Sequence, residues 1–246
     1  MKLCFVGTAP CTPDVGKEVA SFVINKNILV DTGWCNVLKM REYGVDAADI
    51  EYLVLTHLHQ DHYLGLPHLF FYLWGRRSSG KAIHPLKIIG PAKHVREIVE
   101  TSKKFLQWER FPELVIDIDV VPIVPGETYK GKDFILETFA ARHVSGGKAS
   151  SEALSGKITY PATGNTMVFS GDTSFHPPLA KFAAKTPLLI HDAAHSTPEE
   201  AAKIAKMAQA QRLYLIHGRQ APGILKNVRK IFPKTFMAKE GLAVGF

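Results

Sequence analysis

Apolar residues recur along this chain in two rhythms. Dense apolar runs with little polar alternation read as strands covered on both faces: KLCFVG near the start, YLVLTH (52–57), LKIIG (86–90), TMVFSG (166–171), LLIHDA (188–193) and RLYLIHG (212–218). EVASFVI and NILVDTG flank Asn25-Lys26-Asn27 and predict a hairpin. VIDIDVVPI, FILETFAA and KITYP supply more strands, and TFMAKEGLAVGF closes the chain with two short ones. Helical spacing fills the intervals at 35–43 (ended near Gly44), 64–74, 94–106, 197–210 and 221–232. The helix at 197–210 has the clearest start: Thr197 as N-cap, Pro198 after it, and Glu200 completing a capping box. SGGKASSEALSG (145–156) reads as a loop. Both halves run from strands to helix and strand. Two mixed sheets packed face to face, with helices outside, would cover such strands on both sides. No linker or repeat divides the chain, so a single domain over 1–246 is expected.

Composition narrows the class. Of 246 residues, 46% are hydrophobic and 22% charged, an ordinary globular balance. A net charge of +7 favours acidic partners such as phosphates or nucleic acid. Cys4, Cys11 and Cys35 form no CxxC motif; they read as small buried hydrophobes in a reducing cytoplasm. No apolar stretch reaches membrane-spanning length, and LPHLFFYLW (66–74) reads as a buried helix or a pocket wall.

Chemistry concentrates after the run at 52–57. His57, His59, Asp61 and His62 lie within six positions. As structure alone, several clustered polar rings would be costly to bury. Imidazole and carboxylate together suit zinc, manganese or iron. One tetrahedral ion rarely takes four ligands from six residues, so two ions sharing the cluster is the easier geometry. That arrangement needs further ligands, one of them bridging. His143, Asp172 and His217 each follow an apolar β run. A carboxylate can bridge with its two oxygens, whereas a neutral imidazole has one free lone pair, so Asp172 is the bridging candidate.

THLHQDH, SGDTS and LIHG, in that order with His143 between, resemble the metallo-β-lactamase superfamily over nearly the whole chain. The resemblance implies an α/β fold, a four-layer αββα sandwich with two mixed β-sheets and outer helices. A finer similarity, to ribonuclease Z and its relatives, lies in KLCFVGTAPCTP, GLPHLFFYLWGR, LKIIGP, VFSGDTS, LLIHDA and HST. By resemblance, His57, His59 and His143 hold one zinc, Asp61, His62 and His217 hold the other, and Asp172 bridges. Asp31 in LVDTG would orient a ligand histidine, and His195 of HST would act near the scissile phosphate. The expected protein is a dinuclear metal-dependent hydrolase that uses a hydroxide shared between two divalent ions. Asp61 takes the proton of the attacking water, and His195 protonates the leaving oxygen with Asp192 as its candidate orienting partner. The substrate class is RNA or a small cyclic phosphodiester, and relatives of this kind suggest a homodimer.

The sequence departs from ribonuclease Z in three places. Only 28 residues separate His143 from Asp172, where several forms carry a tRNA-gripping arm. His191-Asp192 stands where a His-Glu motif is usual and is followed almost at once by His195. GRQAPG after His217 lacks the usual serine and Arg-Tyr pair. A second reading keeps the metals and changes the substrate to a lactone, thioester or sulfate ester. A third, a non-catalytic nucleic-acid-binding protein, is disfavoured because all seven ligand positions hold competent residues. His68, His176 and the aromatics of 70–74 are further pocket candidates, with core packing as the plainer reading. Arg76, Arg77 and Lys81 read as solvated charge.

Overall fold

Alternate residues of the early strands face opposite ways, and each face finds a different cover. In Tyr52–Val54, Tyr52 and Val54 enter a core shared with the second half of the chain, while Leu53 enters a separate core beneath helices. The structure, a computed structural model, describes residues 1–145, 148–150, 152–218 and 223–246. The first half comprises β1 (Lys2–Gly7), β2 (Ser21–Ile24), β3 (Ile28–Val30), α1 (Asn36–Glu42), β4 (Tyr52–Val54), α2 (Gln60–Tyr63), α3 (Leu66–Ser78), β5 (Leu86–Pro91), α4 (Val95–Phe105) and β6 (Ile118–Ile123). The second comprises β7 (Thr128–Lys130), β8 (Ile135–Ala140), β9 (His143–Ser145), β10 (Lys148–Ser150), β11 (Leu154–Tyr160), β12 (Asn165–Phe169), α5 (Pro178–Phe182), β13 (Leu189–Asp192), α6 (Pro198–Met207), β14 (Leu213–Ile216), α7 (Ile224–Ile231), β15 (Thr235–Met237) and β16 (Ala243–Gly245).

One sheet runs β16-β1-β2-β3-β4-β5-β6 and the other β15-β14-β13-β12-β11-β8-β7. Each is antiparallel over part of its width and parallel over the rest, as in β1-β2-β3 against β3-β4-β5-β6. The inner faces meet in one core, where Phe22 packs on Phe169 and Phe5 on Tyr214. The outer faces carry two further cores, one under α1, α3 and α4, the other under α5, α6 and α7. This is the expected α/β, αββα sandwich. Central strands such as β3, β4 and β14 are apolar on both sides because both sides are covered.

Local expectations fare unevenly. The hairpin forms about Asn25 and Lys26, both at positive φ, with Ile24 paired to Ile28. The capping box at Thr197 and Glu200 is present. The helix expected at 64–74 instead begins four residues earlier as α2, stops at Gly65 and resumes as α3. A Cβ at Gly65 would lie 2.6 Å from the Thr32 carbonyl oxygen, so the chain passes too close for a larger residue. The loop expected at 145–156 holds the β9–β10 ladder and the start of β11; its small polar residues masked the pairing. The two last strands separate, β15 joining β14 in one sheet and β16 joining β1 in the other. The cysteines correct the expectation of burial: Cys11 and Cys35 are exposed and Cys4 is half-buried, all three with free thiols. The start expected for the last helix, 221–222, and most of GRQAPG lie outside the described residues.

Candidate metal centre

The seven candidate ligands gather where β4, β12 and β14 end, on loops, the short helix α2 and the start of β9. His57 follows β4, and His59 begins the turn that becomes α2. Asp61 and His62 are neighbours within α2, their side chains about 100° apart around its axis. His143 opens β9, Asp172 follows β12, and His217 follows β14 at a positive φ of 65°.

Two triads form. The nitrogen atoms of His57, His59 and His143 lie within 4.8 Å of one another, as do ligand atoms of Asp61, His62 and His217. Asp172 stands between them. Its Oδ2 is 3.7 Å from His57 Nε2 and 3.4 Å from His62 Nε2, and its Oδ1 is 3.4 Å from His217 Nδ1. In the first triad His143 Nε2 meets His59 Nδ1 at 3.0 Å. In the second, Asp61 Oδ2 is 3.4 Å from His62 Nε2 and 3.8 Å from His217 Nε2.

Carboxylates behind the rings set their orientation. Asp31 Oδ2 accepts from His62 Nδ1 at 2.8 Å and from the Thr56 hydroxyl at 2.8 Å, while its Oδ1 takes the Thr56 N–H. Thr56 Oγ1 in turn meets His57 Nδ1 at 3.1 Å. One aspartate therefore fixes rings in both triads, the first through a threonine that the sequence reading missed. Its position directly before His57 was the available signal. Asp192 does comparable work on the other side. Its Oδ1 meets His217 Nδ1 at 3.1 Å, and its Oδ2 meets His195 Nδ1 at 3.1 Å and the N–H groups of Thr173 and His195. His195 stacks on His217, ring centroids 5.4 Å apart, and its Nδ1 is 3.6 Å from Asp172 Oδ2.

These residues fit a metal centre. His57 Nε2, His62 Nε2, His217 Nε2 and His143 Nδ1 are buried without a hydrogen-bond partner, although buried ring nitrogens normally find one. Three of these rings have their other nitrogen engaged by Thr56, Asp31 or Asp192, the arrangement that leaves a lone pair for an ion. Charge agrees. Burial opposes charging His62 and His217, yet Asp172 and the other carboxylates outweigh it; His62 is held well above the usual imidazole range and His217 is pushed up to about 10. Burial likewise opposes ionising Asp172, but His217, His62 and His57 hold it well below the usual carboxylate range. The pocket demands positive charge.

Other sequence candidates lie elsewhere. His176 packs on Phe139, centroids 5.7 Å apart, and His68 meets the Trp34 carbonyl at 3.3 Å. Neither belongs to a metal-competent group among the described residues. Phe70 is core, while Phe71 is exposed. Arg76 and Lys81 are not free solvated charges: both pair with Asp46, at 3.0 and 2.8 Å.

Residues 26–218 match the profile of the beta-lactamase superfamily domain. The chain belongs to that superfamily. A ribonuclease Z from Geobacillus kaustophilus is 27% identical, across 97% of this chain and 96% of the relative. Their alignment extends over 301 positions against 246 residues here, so that superfamily member carries segments this one lacks. The metallo-beta-lactamase fold protein YhfI from Bacillus subtilis superposes with a TM-score of 0.79 at 22% identity, covering 99% of this chain and 98% of that one. The short form of human tRNase Z gives 0.78 at 21%, covering 100% and 99%. At those identities the two structures speak for the superfamily fold.

Proposed function

We propose that this superfamily member is a metal-dependent phosphodiesterase of ribonuclease Z type. Asp172, shared between two triads beside a carboxylate-held His195, is the observation that carries the reading. His57, His59 and His143 would hold one divalent ion and Asp61, His62 and His217 the other, with Asp172 touching both. Zinc suits this nitrogen and oxygen donor set best, with manganese or iron as alternatives. Bound ions lower the pKa of water and polarise the phosphoryl oxygen. Asp61 accepts the proton of the attacking water. Asp192 holds His195 by Nδ1, which leaves Nε2 to carry a proton to the leaving oxygen. The same hydrogen bond, donated by His195 Nδ1 to Asp192, raises the His195 pKa, keeping that proton available near neutrality.

A relative named ribonuclease Z favours RNA as the substrate, and the shorter chain favours short or cyclic diesters over a gripped tRNA. The free thiols favour a reducing cytoplasm, and inner-core packing that draws on both halves favours one domain over 1–246. A homodimer is the corresponding expectation for light scattering. No helix among the described residues is long and apolar enough to cross a membrane.

The test is hydrolysis of bis(p-nitrophenyl) phosphate by zinc- or manganese-loaded protein, beside p-nitrophenyl phosphate, a lactone and a thioester. Diester turnover that falls with His195→Ala and disappears with Asp172→Ala supports the reading. Turnover of the lactone or thioester with none of the diester rejects it.

A further inference from the structure

Glu18 is a buried carboxylate that no step above uses. It is 3% exposed and lies in the loop between β1 and β2, far in sequence from every candidate ligand. Its Oε1 accepts the N–H of Val19 at 2.7 Å and of Trp34 at 2.8 Å, and its Oε2 accepts that of Cys35 at 2.7 Å. Short bonds of this kind to an ionised acceptor are among the stronger ones a chain can make. Two of the three hold the segment that follows Asp31.

That segment needs holding. Asp31 and Gly33, either side of Thr32, sit at φ of 56° and 54°, a left-handed region uncommon for a non-glycine residue such as Asp31. The same segment grips the turn that carries Asp61 and His62. Thr32 N–H donates to the His62 carbonyl at 2.9 Å, Gly65 N–H donates to the Gly33 carbonyl at 2.8 Å, and Asp31 holds the His62 ring. Glu18 reaches the opposite side of the centre through its main chain. Its carbonyl accepts from Thr8 and Ala9, and the Thr8 carbonyl accepts the N–H of His217, itself at positive φ. A Cβ on Gly33 would come within 2.6 Å of Glu18 Oε1, so the carboxylate fills the space that a side chain there would need.

We infer that Glu18 is a positioning residue for the metal centre: its carboxylate locks the Asp31–Cys35 segment, and thereby sets the second triad, Asp61, His62 and His217, more than the first. This rests on the ligand assignment proposed above.

The experiment is zinc competition against a chromophoric chelator, using the full chain. His143→Ala leaves the second triad intact, and Asp61→Ala leaves the first. Adding Glu18→Gln, which keeps the shape but presents an amide to backbone N–H groups, should weaken zinc binding about 10- to 100-fold in the His143→Ala background. In the Asp61→Ala background it should change affinity less than about twofold. Gly33→Ala should act the same way, and its combination with Glu18→Gln should be no worse than either alone, since both release one lock. A purely structural Glu18 would lower the melting temperature of the metal-free protein and leave both affinities unchanged, which overturns the inference. Equal weakening in both backgrounds overturns it too. Wild-type protein that takes up no zinc rejects the metal reading itself, and the inference with it; two ions bound by wild type and by Glu18→Gln with equal affinities rejects the inference alone.

Discussion

The two triads are built from opposite materials. The first is three histidines with no carboxylate of its own. Burial, followed by the charge of neighbouring groups, holds His57 well below the usual imidazole range, and His143 falls to about 4, chiefly through burial. The rings of His57 and His143 are therefore neutral at physiological pH and ready to donate lone pairs. The second triad contains Asp61 and is backed by Asp31 and Asp192, and two of its members, His62 and His217, are held charged. One half of the centre is prepared by desolvation and the other by charge. Asp172 lies against both, so the halves are coupled without being alike.

Asp172→Ala should break both halves together. Diester turnover is expected to fall on the order of 10³-fold or more, beyond the 10²- to 10³-fold cost of losing a single stabilising donor. Residual turnover within tenfold of wild type would mean the triads work independently. Asp31→Ala comes next, with zinc affinity down about 10- to 100-fold by chelator competition. The loss should be larger at the second triad, because Asp31 touches His62 directly and His57 only through Thr56.

Protons should tell the halves apart. With a pKa raised from 6.5 to about 10, His217 carries a proton at pH 7 that an incoming ion must displace. Ion uptake by the second triad should therefore release protons and tighten as pH rises. In the first triad His57 and His143, already neutral, should add little pH dependence above about pH 5. Calorimetry in two buffers of different ionisation enthalpy reads this, and equal proton release at both sites would erase the distinction. The same raised pKa acts on metal-free stability. Its contribution is whole below pH 6.5 and is lost as pH climbs through about 10. Smallest in effect is Thr197→Ala, which removes the cap of α6 just after His195 and should cost about 1 kcal/mol in urea unfolding. Asp192→Asn, by contrast, should move the alkaline limb of the rate profile to lower pH, because the hydrogen bond to Asp192 is what raises the His195 pKa. If Thr197→Ala moves that limb equally, the helix rather than the carboxylate positions His195.

Much of this was legible in the chain. The first-triad residues His57 and His59, the shared Asp172 and the strand-end histidines all announce themselves, because metal chemistry restricts residue type and the apolar runs place them at strand ends. Less visible was how the backbone arrives. Gly65 interrupts a good helical pattern because the Thr32 carbonyl passes close by, a tertiary fact absent from local spacing. Thr56 and Glu18 carry no chemical signature; their roles depend on partners 25 and 16 residues away. The β9–β10 ladder hid in a small, polar stretch whose pairing owes nothing to hydrophobic rhythm.

The pairing of β16 with β1 has a consequence in time. Lys2 faces Gly245 and Cys4 faces Ala243 across one ladder. On a ribosome the sheet that emerges first is thus sealed last, and the bond from His217 to the Thr8 carbonyl must wait almost as long. Contacts of such span are slow to form. Until those late strands arrive, a nascent chain carries an open sheet edge and a ligand cluster that lacks His217.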